Sequence, residues 1–278
     1  MTGRRRLLSL LFLVPVVLIR LSCSGAFDTS ACPGGGSGPC TRVLFIGNTY
    51  TGTNDLPGMF AKLARSGNHR IRTAVNDDDS ISLVDHVASH DTKRLLASTH
   101  WTFVVLQEQS ITPLLEEFRQ AEMYPAAREL VDMVRGAGAT PLFFLTWAHR
   151  VGLSDTGPTG SYAGMQKATD DAYLTIAREE HAGVAPVGYA WWTLYDRDPG
   201  AALWQADGTH PSVEGTYLAA CVFYATIFHA TIFRESPLGL GYRAGLPDSV
   251  AATVQKIAAD VVLANAATWG LPPTPPGT

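Results

Sequence analysis

The feature that most constrains this chain is an alternation of two hydrophobic periods. Strand-length apolar runs stand at 43–47, 70–75, 101–106, 141–146 and 184–187, and helix-like segments fall at 55–66, 83–97, 116–136 and 161–181, followed by 212–233 and 249–268. Strands this apolar must be covered on both faces, and β-α-β alternation implies parallel neighbours joined by right-handed crossovers. The expected fold is α/β: a three-layer α/β/α sandwich on a five-stranded parallel sheet, in one domain over 42–270. A hydrophobic fraction of 46% excludes a disordered chain. No self-similarity at a fixed period points to a solenoid or propeller.

Residues 1–26 stand apart from that pattern. Arg4, Arg5 and Arg6 precede an apolar run from Leu7 to Ile19, and Ser24, Gly25 and Ala26 are small, as at a signal-peptidase site. The segment reads as an export signal, which places the mature protein outside the cytoplasm, secreted or periplasmic. The alternative is a lipid anchor at Cys23, against which Arg20 sits where an apolar residue is expected. The run is short for a membrane span. The segment holds four arginines and no acidic residue, so 21 basic groups become 17 against 25 acidic and the net charge moves from −4 to −8. With no basic cluster left, nucleic acid is not an expected partner.

Residues 27–41 form a leader in which Cys32 and Cys40 flank a Gly- and Pro-rich stretch. In an exported chain the pair predicts a disulfide, the alternative being two free thiols. Cys221 lies in an apolar helical run and reads as a small core residue. No Cys/His spacing resembles a zinc site, and neither metal nor cofactor is expected. Residues 271–278 are Pro-rich and read as a disordered tail.

In a parallel sheet the ligand site lies beyond the C-terminal strand ends, so the residues following each strand carry the function. Gly47-Asn48-Thr49-Tyr50-Thr51 follows the first strand and leads to Asn54-Asp55-Leu56-Pro57; Gln107-Glu108-Gln109-Ser110 follows the third; Asp207-Gly208-Thr209-His210-Pro211 opens a late helix. A hydroxyl on the first turn needs a base, which His210 supplies, with Asp207 holding the other ring nitrogen. The Thr49 amide and a side-chain amide from Gln107 or Gln109 would face a developing oxyanion. The chemistry these groups suit is acyl transfer to water.

These blocks, in this order, resemble the SGNH/GDSL hydrolases, and the likeness runs over about residues 42 to 235. The first block is most similar to an exported bacterial subgroup with Gly-Asn-Ser-Tyr-Thr and Asn-Asp-Leu-Pro. The resemblance implies a flavodoxin-like sheet, an ester hydrolase acting on a small-molecule or glycan ester, and a monomer. It assigns Thr49, His210 and Asp207 to catalysis, Thr49, Gln107 and Gln109 to the oxyanion, and Asn48 and Tyr50 to substrate binding.

Departures from the family pattern fall at the first three blocks. Thr49 stands where Ser is usual, and its β-methyl restricts χ1. Asn76-Asp77-Asp78-Asp79-Ser80 replaces the Gly after the second strand, bringing carboxylates that would oppose an oxyanion. Gln107-Glu108-Gln109 replaces Gly-x-Asn. Each residue also has a plain structural reading: Thr49 as a helix N-cap, Asp207 as a turn former, His210 as a loop residue, and the aspartates as a solvated turn. His86 is assigned no role. Trp147, Trp191, Trp192 and Trp204 read as core or rim packing, a rim that would suit a sugar or an apolar acyl group. The competing functions are an exported esterase, a degenerate hydrolase that only binds a glycan or acylated ligand, and a surface interaction protein.

Overall fold

The computed structural model describes residue 32 and residues 39–79, 81–153, 157–229 and 235–271. The expected export signal, the Cys23 anchor site and the tail beyond residue 271 lie outside these residues. Five strands, β1 (Thr41–Ile46), β2 (Ile71–Asn76), β3 (Phe103–Leu106), β4 (Thr140–Phe144) and β5 (Gly183–Ala185), form one sheet in the order β2-β1-β3-β4-β5. All neighbours are parallel, with Val43 paired to both Thr73 and Phe103. The strand order reverses beside β1, so the exits of β1 and β3 diverge and leave a crevice between them.

Burial follows strand position. In central β1, Val43, Leu44, Phe45 and Ile46 have no solvent exposure, whereas edge strand β2 buries Ile71 and exposes Val75. The helices are α1 (Thr49–Gly52), α2 (Leu56–Ser66), α3 (Leu83–Ala88), α4 (His90–Ala97), α5 (Glu116–Phe118), α6 (Tyr124–Gly136), α7 (Tyr162–Glu179), α8 (Val187–Arg197), α9 (Val213–Phe228) and α10 (Asp248–Leu263). Phe45 meets Phe60 of α2 and Phe223 of α9. On β4, adjacent residues point to opposite layers, Phe143 toward Tyr173 of α7 and Phe144 toward Phe223. Every residue of α9 from Gly215 to Phe228 is buried, as expected of a helix apolar on all sides. Cys32 and Cys40 form a disulfide at the entry to β1, and Cys221 is a buried free thiol.

Three sequence expectations change. The helix over 83–97 is broken at Ser89, which is extended (φ −65°, ψ 125°) and caps α4 by accepting from the Thr92 amide. The helix over 116–136 contains a π-helical turn at Arg119–Met123, between α5 and α6. The strand over 184–187 ends at Ala185, and α8 begins immediately after it; that helix has no side-chain cap to announce it. The late helix runs Val213–Phe228, and residues 230–233 of its expected span lie outside the described residues.

Candidate active site

The first strand exit is a tightly packed turn. A Cβ on Gly47 would lie 2.4 Å from Gln107 Oε1 and 2.5 Å from Thr51 Oγ1, so only glycine lets β1 pass this close to the β3 exit. Asn48 then caps α1. Its Oδ1 accepts from the Tyr50 amide (3.1 Å), and its Nδ2 donates to Ile81 O (3.1 Å). Thr49 is the first helical residue, and its amide has no acceptor among the described residues. The sequence expected substrate contacts from Asn48 and Tyr50. Both line the pocket, but the amide group of Asn48 is committed to the cap and to Ile81.

Thr49 Oγ1 lies 3.1 Å from His210 Nε2, and His210 Nδ1 lies 2.7 Å from Asp207 Oδ2. A carboxylate only accepts, so Nδ1 carries the proton and Nε2 presents its lone pair to the Thr49 hydroxyl. Asp207 Oδ1 accepts from the Thr209 and His210 amides at 2.8 and 3.0 Å. Partial burial works against ionisation of Asp207, but the hydrogen bonds from the His210 ring and these two amides outweigh it and hold the carboxyl below its usual range.

The loop that carries this pair is pinned from several sides. Trp147 Nε1 donates to Thr209 O (3.0 Å), the Arg150 amide to Gly208 O (2.8 Å), and the Gln205 amide to His210 O (2.8 Å). Asn54, in the left-handed region at φ 57°, donates through Nδ2 to Pro211 O and Thr216 Oγ1, both at 2.9 Å. The helix that follows the Thr49 turn is thereby tied to the loop that carries His210. Beneath the site the Tyr50, Trp147 and Trp191 rings stack in series at 4.7 and 4.1 Å, and Tyr50 meets His210 edge-on.

At the β3 exit the two glutamines separate. Gln107 is fully buried. Its Oε1 accepts from the Asn48 amide and Thr51 Oγ1, both at 2.9 Å, and its Nε2 donates to Glu108 O. Gln107 thus fastens the β1 turn, and its amide is not open to an oxyanion; this corrects the sequence expectation. Gln109 Oε1 accepts from the Ile111 and Thr112 amides (2.6 and 3.2 Å), which fixes the side-chain orientation and leaves Nε2 without an acceptor among the described residues. Gln109 lines the pocket. The aspartates after β2 do not: Asp77 packs on Gly52, where a Cβ would meet its Oδ2 at 2.1 Å, and neither Asp78 nor Asp79 reaches the pocket.

Three further residues receive no role from the sequence, although Ser110 belongs to the block after the third strand. His86 is buried and donates from Nε2 to Gly47 O (2.8 Å). Its Nδ1 takes the Thr92 hydroxyl (3.0 Å), which in turn accepts from Asn76 Nδ2 (2.9 Å). This relay braces the carbonyl behind Thr49, and burial holds the imidazole below its usual pKa. His149 and Ser110 line the pocket, with Nε2 and Oγ 3.4 Å apart. Burial lowers the His149 pKa against the pull of Asp207, so the ring is neutral at pH 7. The position of His149 five residues beyond β4 is the one signal that strand-exit reasoning offers for it.

The pocket has a volume of about 210 Å³ and contains no Lys or Arg. A larger depression of about 560 Å³ lies at the opposite end of the sheet, between Arg178, His181 and Trp269. Among the described residues it holds no hydroxyl–imidazole–carboxylate relay, so the smaller pocket is the candidate active site. Among the described residues no cluster of His, Cys, Asp or Glu is arranged to hold a metal ion.

No protein-family model matches the sequence, and no curated protein matches it. Solved structures do match. A protein from Slackia heliotrinireducens, described as a candidate SGNH hydrolase, is 28% identical over 66% of this chain and 97% of its own, with a TM-score of 0.55. A DUF4886 family protein from Bacteroides uniformis superposes over 81% of this chain and 95% of its own, with a TM-score of 0.67 and 19% identity. A variant of Axe2, described as an acetyl-xylooligosaccharide esterase from Geobacillus, covers 68% of this chain and 93% of its own, with a TM-score of 0.50 and 18% identity. The chain has the fold of the SGNH hydrolases, a five-stranded all-parallel sheet between two helical layers. The 28% identical neighbour is described as a hydrolase, while those at 18% and 19% identity show the fold alone.

Proposed function

We propose that this protein is an exported esterase that removes a short acyl group, through an acyl-enzyme on Thr49. The observation that carries the reading is the unbroken relay from Thr49 Oγ1 through His210 to Asp207, with contacts of 3.1 and 2.7 Å. His210 Nε2 takes the hydroxyl proton as Oγ1 attacks the ester carbonyl. The oxyanion forms facing the Thr49 amide and Gln109 Nε2. Collapse expels the alcohol, which takes the proton back from His210; water, activated by the same imidazole, then releases the acid and restores Thr49.

The size of the pocket supports a short acyl group. At about 210 Å³ it falls below the roughly 300 Å³ at which drug-sized ligand sites begin. A recess this small, with Ile111 as its one aliphatic side chain, takes acetyl far better than a long chain. Export is supported by the features of residues 1–26 and by the Cys32–Cys40 disulfide, which persists in oxidising compartments. The alcohol side of the ester is read as a carbohydrate, the class named for the Axe2 neighbour.

Hydrolysis of p-nitrophenyl acetate by the mature protein tests this reading. Wild-type turnover should fall at least about 10³-fold in His210→Ala, and Thr49→Ser should retain it. If neither the wild type nor Thr49→Ser turns over acetyl esters, the esterase reading fails. Turnover by Thr49→Ser alone identifies the natural protein as a binder with a disabled nucleophile.

A further inference from the structure

Helix α8 carries two aromatic surfaces of opposite fate. Trp191 is wholly buried and stacks on Trp147 beneath the active site. Its neighbour Trp192 faces outward and is 38% exposed. Tyr195 and Asp196 follow Trp192 at i+3 and i+4, so all three occupy one face of the helix. The first residue of α7, Tyr162, completes the group: its ring lies nearly parallel to Trp192 (5.2 Å, 14°) and perpendicular to Tyr195 (5.3 Å, 70°). Together with Pro199 these residues line a concavity of about 230 Å³.

The cradle is rigidly linked to the active site. Tyr162 and Tyr195 both meet Trp204 edge-on, at 5.5 and 5.1 Å. Trp204 donates from Nε1 to Ala148 O (3.1 Å), next to His149, and pairs with Pro211, next to His210. Trp204 thus joins the cradle to both pocket-lining loops, to one through its indole and to the other through its backbone.

We propose that the Tyr162–Trp192–Tyr195 cradle is a non-catalytic binding site for a pyranose ring of a glycan chain. Aromatic faces are electron-rich and attract the C–H edge of a sugar ring, while the Asp196 carboxylate at the rim accepts from its hydroxyls. An acyl chain would set its methylenes against that carboxylate. A cation sandwiched between rings is ruled out because Tyr162 and Trp192 stack on each other at 5.2 Å and leave no gap between their faces. The connection to turnover rests on the esterase reading: a polymer held at the cradle would present its ester to Thr49.

Calorimetric titration of the mature protein with xylohexaose and with chitohexaose tests the site without any turnover. At least one should bind saturably, with affinity reduced about 10-fold or more in Trp192→Ala, partly retained in Trp192→Phe, and weakened in Asp196→Asn. Circular dichroism melts of the variants guard against loss of fold. Binding of neither hexasaccharide, or equal binding by wild type and Trp192→Ala, overturns the proposal, as does saturation by dodecylphosphocholine in place of the sugars. In a parallel assay Trp192→Ala should leave p-nitrophenyl acetate hydrolysis unchanged and raise KM on acetylated xylo-oligosaccharides. A wild type inert toward both esters defeats the esterase reading alone, and the titration still decides the cradle.

Discussion

Thr49 and Ser110 each face an imidazole in the same small pocket, yet the two pairs are built differently. Thr49 Oγ1 and His210 Nε2 are 3.1 Å apart, and the far side of the ring is held by a carboxylate at 2.7 Å. Ser110 Oγ and His149 Nε2 are 3.4 Å apart, at the loose end of hydrogen-bond geometry, and among the described residues no carboxylate is bonded to the ring. A hydroxyl becomes a nucleophile only if the proton it gives up is stabilised where it lands. At His210 the Asp207 carboxylate lies against the far ring nitrogen; at His149 burial opposes a charged ring. Proximity to histidine therefore does not single out the candidate nucleophile, and the carboxylate does.

Replacing that carboxylate tests the contrast most severely. In Asp207→Asn, the side-chain amide can donate to Nδ1 and favour the wrong tautomer, so kcat for p-nitrophenyl acetate should fall by about 10³- to 10⁴-fold. His149→Gln should cost no more than about 10-fold, since it removes a neutral polar wall and not a base. A reversed ranking of the two losses, measured under the same conditions, would transfer the base to His149 and the nucleophile to Ser110.

The two glutamines of the β3 exit give the next largest effect. Gln109→Ala removes the free Nε2 and should lower kcat about 10²-fold with little change in melting temperature. Gln107→Ala removes the acceptor for the Asn48 amide and Thr51 hydroxyl, so it should reduce stability by about 1–3 kcal/mol by leaving those donors unsatisfied. Chemical denaturation and steady-state kinetics on both variants separate the roles. If Gln109→Ala is fully active, the oxyanion is held by other donors.

What the sequence reveals here is set by how local the cause is. Val43 to Ile46 announce a central strand because burial on both faces leaves no polar position, Thr49 is found by counting forward from the end of that strand, and Asp207 and His210 are found as an Asp-x-x-His pair ahead of a late apolar helix. The choice between Gln107 and Gln109 is not local. Both follow the same strand, and what distinguishes them is which backbone amides meet each Oε1, Asn48 from another strand exit or Ile111 from the same loop. The break at Ser89 is hidden because apolar spacing continues across it, while its purpose, bringing Thr92 back onto His86, is a tertiary contact. Helix α8 escapes notice because Pro186 gives it no side-chain cap and β5 is only three residues long.

The strand exits also differ in what they bury, and this yields the smallest of the expected effects. The β1 exit buries neutral groups that are hydrogen-bonded to one another, whereas the β3 exit buries Glu108. Its Oε1 accepts from the Gln109 and Leu83 amides, while its Oε2 has no partner among the described residues. Burial pushes its pKa up to about 7, against these two hydrogen bonds. A carboxyl raised in the folded state favours folding when protonated. Its contribution is therefore fully present below the unfolded value near 4.5 and is lost as pH rises through about 7. Glu108→Gln keeps an acceptor for both amides and cannot ionise, so it should be more stable than the wild type at pH 8, by on the order of 2–3 kcal/mol, with the gap narrowing toward pH 5. Urea unfolding of the two proteins at pH 5 and pH 8 measures it. Parallel pH dependence in the two would mean that Glu108 does not titrate in this range, and the contrast between the exits would then be one of shape alone.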